Sequence, residues 1–421
     1  MEDAGRPGRL ATASWVIYDL ANTIFALGVV GLYFSDWLVS ENHPDSYLAL
    51  VQAAAAAVVI FLAPWAGARS DVLGRRVPTL VATTLIAVAA TAVLATGPVW
   101  LTLFMLWSAV VAVNTGSVVY DALLVDVSTE RTRGKISGYG VGVGYLGSFI
   151  GLGLGFLALD VLDWGYPGAF RLIAGAFLVF ALPAFFFVHE RPGVADAELP
   201  TMGDLVMRLA RSWRAAGDYD GVVRFLVGRF FYTDAINTLI GGFLAIFVID
   251  ELGLDRSFFM VLLGVAITAA VIGGLGSGRF IETHGPLRVL RFVLVMWMVA
   301  IASGIVAAVT GFTDIAWVIG PVGGLALGAT WSADRVVMIR VSPPRRLGEF
   351  YGLYATVGRF ATILGPLVWA VIVDVLDLPR TAAMGALIAF IAIGWSILRR
   401  VDDSLRQWPA DDQLMPRPIP G

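Results

Sequence analysis

The sequence predicts an all-α polytopic membrane protein of twelve transmembrane helices, arranged as two related six-helix halves. Three observations carry that prediction. Apolar residues make up 58% of the 421 residues, whereas Asp, Glu, Lys and Arg make up only 14%. The apolar residues are grouped in long runs, and several short signatures occur twice at a nearly constant spacing. A soluble domain is nearer a quarter charged, so this chain lacks the polar surface to cover a core in water.

A hydrocarbon layer of about 30 Å needs roughly 20 helical residues per crossing. The apolar runs place crossings at 14–38, 48–66, 77–96, 99–124, 137–159, 168–188, 223–249, 258–276, 289–309, 315–338, 350–373 and 382–398. Residues 77–124 read as one element would hold 48 residues, too many for one crossing, so a tight turn is expected at Gly97 and Pro98. The longest polar connection, 190–220, carries Pro192, Pro200 and the stretch LVMRLARSWRAAGDYD, which suits a short surface helix. It divides the chain into a first half at 1–189, a linker at 190–222, a second half at 223–400 and a tail at 401–421.

The basic residues test this count. With the amino terminus inside, 23 of the 29 Lys and Arg residues fall on the cytoplasmic side. The opposite side receives only Arg171, Arg256 and Arg380. Such a bias predicts both termini inside and an even number of crossings. Arg229, Arg335 and Arg359 fall within helices. The first apolar run is longer than a signal-peptide core and is expected to be retained as a helix.

Several function classes are excluded or disfavoured. The chain has no cysteine, which removes disulfides, thiol catalysis and thiolate metal sites. The three histidines, His43, His189 and His284, all lie in predicted loops, so neither a metal centre nor a cofactor is expected. No basic tract interleaved with aromatics suggests a nucleic-acid partner. The run GYGVGVG follows no strand and begins a membrane helix, so it is not a dinucleotide loop.

The halves match at particular places. The first helix carries Tyr18, Asp19, Asn22 and Thr23, and the seventh carries Tyr232, Asp234, Asn237 and Thr238. The pattern Asp-x-x-Asn-Thr thus recurs at an offset of 215. Gly67, Asp71 and Gly74 after the second helix match Gly278, Glu282 and Gly285 after the eighth. Val127, Ser128, Arg131, Gly134, Gly138 and Gly151 match Val341, Ser342, Arg345, Gly348, Gly352 and Gly365 at an offset of 214. Three matches in consistent order indicate an internal duplication. Duplicated membrane halves with a site between them are a common construction of secondary transporters.

The stretch GARSDVLGRR resembles the Gly-x-x-x-Asp-x-x-Gly-Arg-Arg signature of the major facilitator superfamily, found between its second and third helices. Further resemblance, to the autophagy-related vacuolar effluxer family and its bacterial relatives, lies in SWVIYDLANTIF, RGKISGYGVGVGYLGSFIGL, FFYTDAINTLI and SPPRRLGEFYGLYATVGRFATILGPL. The resemblance implies a major-facilitator-type fold and, from the fungal members, export of amino acids. Two positions depart from the family pattern. Thr23 replaces a serine, and helix seven reads Tyr232, Thr233, Asp234, Ala235 where the family has Tyr-Asn-Asp-Gly.

Asp19 and Asn22 are three residues apart and share a helix face, as do Asp234 and Asn237. A carboxylate facing lipid is costly, so these side chains are expected to face the bundle interior or water. There they could bind a substrate amine or carry a proton, with Tyr18 and Tyr232 adding hydroxyls. Equally, they could cap broken helix ends or pair with Arg229 and Arg359. Arg359 sits about 15 Å of helical rise from its cytoplasmic end, deep enough to bind a substrate carboxylate or an internal Asp.

On the cytoplasmic face, Asp71, Arg75 and Arg76 are implied by the resemblance to form a latch. Asp71 is expected to cap helix three, and the arginines to bridge to Asp126 or Glu130. The alternative is that the arginines only set topology. Asp121 and Arg335, at matching positions in helices four and ten, are further candidates for the cytoplasmic gate, in a charge pair across or within the halves that opens with it, the alternative being a purely structural pair. The glycines of helix five suit close helix contact, and Gly365-Pro366 suits a bend in helix eleven.

The leading expectation is a proton-coupled secondary transporter exporting a small polar or zwitterionic solute such as an amino acid, from a bacterial inner membrane. The alternatives are a sugar, nucleoside or organic-anion transporter, a non-transporting receptor, or a membrane enzyme. Nothing resembles an ATP-binding loop. A monomer suffices, and lipid and the solute are the expected partners.

Overall fold

The apolar runs fold as helices because a backbone in hydrocarbon must satisfy its own N–H and C=O groups. The computed structural model describes residues 8–73, 75–124, 126–129, 133–189, 201–219, 221–343 and 346–404. Eleven helices among these are long and apolar enough to span a membrane. In chain order they are helix one (Arg9–Ser40), two (within Ser46–Leu73), four (Val99–Leu123), five (Arg133–Phe156, continued by Leu157–Val161) and six (Gly165–Phe187). Helices seven (Val222–Glu251), eight (Arg256–His284), nine (Pro286–Thr310), ten (Thr313–Val341), eleven (Glu349–Val375) and twelve (Arg380–Leu398) follow.

The twelfth element of the expected set, helix three (Arg76–Ala92), has 17 residues and falls short of the other eleven. It ends four residues before the apolar run does. Val93–Pro98 winds into turns, with Ala95 at φ 57° and its N–H bonded to Thr102 Oγ1 at 3.2 Å. Pro98 is extended and starts helix four, so the turn at Gly97 and Pro98 stands where expected. Met202–Gly217 forms the expected surface helix. Its start is closed reciprocally, Thr201 N–H and Oγ1 donating to Asp204 Oδ2 and Asp204 N–H to Thr201 Oγ1.

The chain forms two compact units, Met1–Leu205 with Ile240–Ile246, and Val206–Leu239 with Phe247–Gly421. Within the first, helix one packs on five and six, three on four and six, and two on four. Within the second, seven packs on eleven and twelve, nine on ten and twelve, and eight on ten. The second pattern is the first shifted by six helices. The duplication read from short motifs is therefore a duplication of packing.

Small residues let these pairs approach closely. A Cβ on Gly147 of helix five would collide with the Leu20 carbonyl of helix one. Not every glycine there does such work, since Gly142 and Gly153 have open space around them.

Candidate functional site

In the first unit, two aromatic side chains tie helix one to helix four. Trp15 stacks on Tyr120 at 4.5 Å between centroids, and Tyr18 stacks on the same ring at 5.1 Å. Trp15 Nε1 donates to the Tyr120 carbonyl at 3.0 Å, and Tyr120 OH to the Trp15 carbonyl at 3.1 Å. The Tyr18 hydroxyl is engaged by Thr84 Oγ1 of helix three at 2.6 Å. Tyr18 is thus bound into the fold.

Asp19 and Asn22 differ from that neighbour. Both are half-buried, and among the described residues neither side chain has a hydrogen bond or ion pair. The Asp19 carboxylate lies against helix five at Gly144, where a Cβ would come within 2.5 Å of Oδ2. The exposed Asp121 lies near enough to act on Asp19 electrostatically, and it is a like charge.

The repeated Asp-x-x-Asn-Thr motif has the same local consequence in both units. Thr23 Oγ1 donates back to the Asp19 carbonyl at 2.9 Å, and Thr238 Oγ1 to the Asp234 carbonyl at 2.7 Å. Such back-bonding competes with regular helix bonds and bends helices. In each case the next residue begins an irregular stretch, wide π-type turns over Ile24–Tyr33 and, over Leu239–Phe243, a kink at Gly242 with φ 109°. Wide turns of this kind gather at functional sites.

Beyond that shared backbone, the second copy is engaged differently. Helix eleven breaks into Leu347–Phe360 and Leu364–Ala370. Helix seven holds both sides of the break: Asn237 Nδ2 donates to the Ala361 carbonyl at 2.8 Å, and Asp234 Oδ2 accepts the Gly365 N–H at 2.8 Å. Gly365 must lack a side chain, because a Cβ would collide with Thr238 Oγ1. The bend expected at Gly365-Pro366 is present, but the disrupted residues are 361–363. Proline removes the bond to the carbonyl four residues earlier and crowds it, which sets the disruption one turn ahead of Pro366.

Asp234 pairs with neither arginine proposed for it. Arg229 instead binds Asp334 of helix ten, Nε to Oδ2 at 3.0 Å, with both side chains buried. Tyr232 OH donates to Asp334 Oδ2 at 3.3 Å and Tyr354 OH to Oδ1. Arg229 Nη1 donates to the Tyr354 carbonyl at 3.1 Å, and the guanidinium sits 3.7 Å over the Tyr354 ring. Tyr232, expected beside Asp234, therefore belongs to an ionic cluster joining helices seven, ten and eleven. Reading the sequence alone misses Asp334 and Tyr354. A signal for them exists: at an offset of 214, Arg229 matches Trp15, Tyr232 matches Tyr18, Asp334 matches Tyr120 and Tyr354 matches Gly140. The aromatic clasp of the first unit is an ionic clasp in the second.

Arg335, expected to pair, is exposed; its carbonyl accepts Tyr351 OH at 3.3 Å. Arg359 is half-buried in the last turn before the break, and its carbonyl accepts Thr362 Oγ1 at 2.8 Å.

Of the expected latch, Arg76 Nη1 meets Asp126 Oδ2 at 2.9 Å, with the Asp126 side chain 1% exposed. Arg75 is exposed and occupies the N-cap of helix three. Asp71 does not precede that helix but falls in the last turn of helix two; its side chain, and the whole of Glu130, lie outside the described residues. No group of three or more His, Cys, Asp or Glu side chains suited to a metal occurs among the described residues.

Comparison with known proteins agrees with this architecture. Residues 124–406 match the family model described as "Vacuole effluxer Atg22 like". The uncharacterized MFS-type transporter YxiO of Bacillus subtilis (strain 168) is 26% identical over 93% of this chain and 94% of its own. Autophagy-related protein 22-1 of Penicillium rubens is 24% identical over 66% of this chain and 50% of its own. Two solved folds are similar over nearly the whole chain. A point mutant of the nucleoside transporter NupG has a TM-score of 0.74 at 11% identity, covering 94% of this chain and 100% of its own. A bacterial homolog of the human lysosomal transporter Spinster has 0.66 at 16%, covering 95% and 98%.

Proposed function

Because this chain belongs to the Atg22-like vacuole effluxer family, with the major facilitator fold of a membrane transporter, we propose that it moves a small zwitterionic solute, an amino acid, outward by proton-coupled alternating access. The membrane is the bacterial cytoplasmic membrane, with both chain ends inside.

One observation carries this reading. Asp19 and Asn22 present a carboxylate and an amide from one helix face within the membrane, and among the described residues neither has a partner. Around them Trp15 and Tyr120 bond each other's carbonyls and Thr84 engages the Tyr18 hydroxyl, so local folding does not call for a free carboxylate. Polar groups at such depth are expensive and mark solute or proton paths. A carboxylate suits the ammonium of an amino acid or a proton in transit, and the neighbouring amide can both donate and accept. Arg359 is the candidate, by charge, for the cargo's carboxylate. The pair Arg76–Asp126 is the candidate gate contact.

The test is counterflow in proteoliposomes against a panel of amino acids, sugars, nucleosides and organic anions. Amino-acid exchange that is driven further by a pH gradient supports the reading. Robust exchange of sugars or nucleosides with no amino-acid exchange sinks it.

A further inference from the structure

We propose that Asp234 and the break in helix eleven form a binding site for one small monovalent cation, a sodium ion or a proton, distinct from the carboxylate at Asp19. Four observations converge. Asp234 is fully buried, at 0% exposure. Its Oδ2 is fixed by the Gly365 N–H at 2.8 Å, but its Oδ1 is buried with no hydrogen-bond partner. Among the described residues no ion pair reaches this carboxylate. Finally, helix seven lines one face here with further oxygens at i+3 and i+4, Asn237 and Thr238, both committed to the break or its edge.

A buried carboxylate with one orphaned oxygen and no basic partner is unstable as it stands. The N–H groups of Gly365 and Leu364, at the start of the second helix segment, offset part of this charge but leave Oδ1 bare, and a cation from outside the chain completes it. The charged side chains inside the spans packed around it cannot supply one. Arg229 of helix seven holds Asp334 of helix ten at 3.0 Å, and Tyr232 and Tyr354 hold the same carboxylate. Arg335 of helix ten is exposed. Arg359 of helix eleven forms no ion pair with Asp234, and helix twelve carries no charge after Arg380. A broken membrane helix, which frees backbone carbonyls beside a carboxylate, is the arrangement in which transporters seat small cations. The cation neutralises Oδ1 while Oδ2 keeps its hold on Gly365, so loading and the shape of helix eleven are linked through one side chain.

The inference rests on the protein being a transporter but not on what it carries, and its test contains no cargo. The purified full-length chain is unfolded by heat in NaCl, KCl or choline chloride at equal ionic strength, from about pH 5 to about pH 9. In parallel, dicyclohexylcarbodiimide, which reacts with protonated carboxyls in apolar surroundings, is mapped onto Asp234 by mass spectrometry. A sodium site gives a saturable rise in Tm of about 2–6 °C specific to NaCl, lost in Asp234→Asn, together with protection of Asp234 from the carbodiimide by sodium. A proton site gives no sodium effect, and labelling of Asp234 that falls as pH rises. The labelling arm needs no variant and stands even if Asp234→Asn fails to fold. Absence of both a sodium effect and labelling at every pH overturns the proposal. So does a sodium effect of equal size in wild type and Asp234→Asn, with Asp234 unlabelled.

Discussion

Replacing Asp334 with alanine removes the carboxylate that Arg229 binds, together with the acceptor of both Tyr232 OH and Tyr354 OH. Arg229 is 5% exposed and cannot turn to water without unpacking helices seven and eleven. Breaking one side of a buried ion pair costs about 3–5 kcal/mol, because the remaining charge stays buried. For a cooperative unit of roughly 200 residues, each kcal/mol lowers Tm by about 2–4 °C, so Asp334→Ala should lose about 6–20 °C. The double variant Arg229→Met/Asp334→Leu should recover most of that loss, since a well-packed apolar pair removes the stranded charge along with its partner. Thermal unfolding in detergent measures both, with Arg229→Met, Asp334→Leu and their combination run as a double-mutant cycle beside Asp334→Ala. If the two single variants and the double variant lose stability additively, or if Asp334→Ala melts within about 1 °C of wild type, the clasp is not the energetic unit described.

Three further outcomes are expected. Asp19→Asn should insert and fold normally yet lose at least about tenfold in gradient-driven transport, a deficit of about 1.4 kcal/mol; wild-type accumulation and counterflow across pH would return Asp19 to a structural role. Gly144→Ala should reproduce that deficit by pushing the Asp19 carboxylate off helix five, whereas Gly142→Ala, with nothing within 4 Å, should leave transport unchanged. Arg76→Ala and Asp126→Ala should each shift the accessibility of engineered cysteines near these residues, and a charge-swapped Arg76→Asp/Asp126→Arg chain should restore it. A coupling of about 1–3 kcal/mol would move the conformational ratio by roughly 5–150-fold, and an unchanged labelling pattern in both single variants would remove the pair from gating.

The parts of this molecule visible in the sequence are those that membranes impose. Hydrocarbon thickness sets run length, and the distribution of Lys and Arg separates loops from spans, so most helix ends are readable to within a turn or so. Helices two and eight, however, continue to Leu73 and His284, about two turns past the expected ends at 66 and 276. Helix three escapes because Val93–Thr96 is apolar enough to continue a helix, and only the positive φ of Ala95 shows that it does not. Side-chain partnerships are less visible, since they depend on helix rotation. Asp334 and Arg335 are adjacent, but one residue is about 100° of turn, which buries the first against Arg229 and exposes the second. The same reasoning separates Tyr232 from Asp234, two positions and about 200° apart. The motif at Asp19 and Asp234 is legible as a repeat, but its divergence is not. Whether Asp-x-x-Asn-Thr meets an intact helix five or a broken helix eleven depends on Pro366, far along the chain.

The ionic clasp also constrains how the chain is made. Helices eight and nine have mean hydropathy of 2.4 and 2.5, and each can enter lipid unaided. Helices seven and ten, at 1.6 and 1.3, each carry one charged member of the clasp. A charge at the centre of an inserting helix costs about 2.5–3.5 kcal/mol, and less toward its ends, where Arg229 lies in the third turn of helix seven. Arg229 is synthesised 105 residues before its partner. The expected consequence is that helix seven stays at the protein-lined exit of the insertion machinery while eight and nine pass it, and is released into the bilayer once helix ten has emerged. A ribosome stalled just short of Asp334 should leave helix seven crosslinkable to that machinery, while a stall after helix ten should free it.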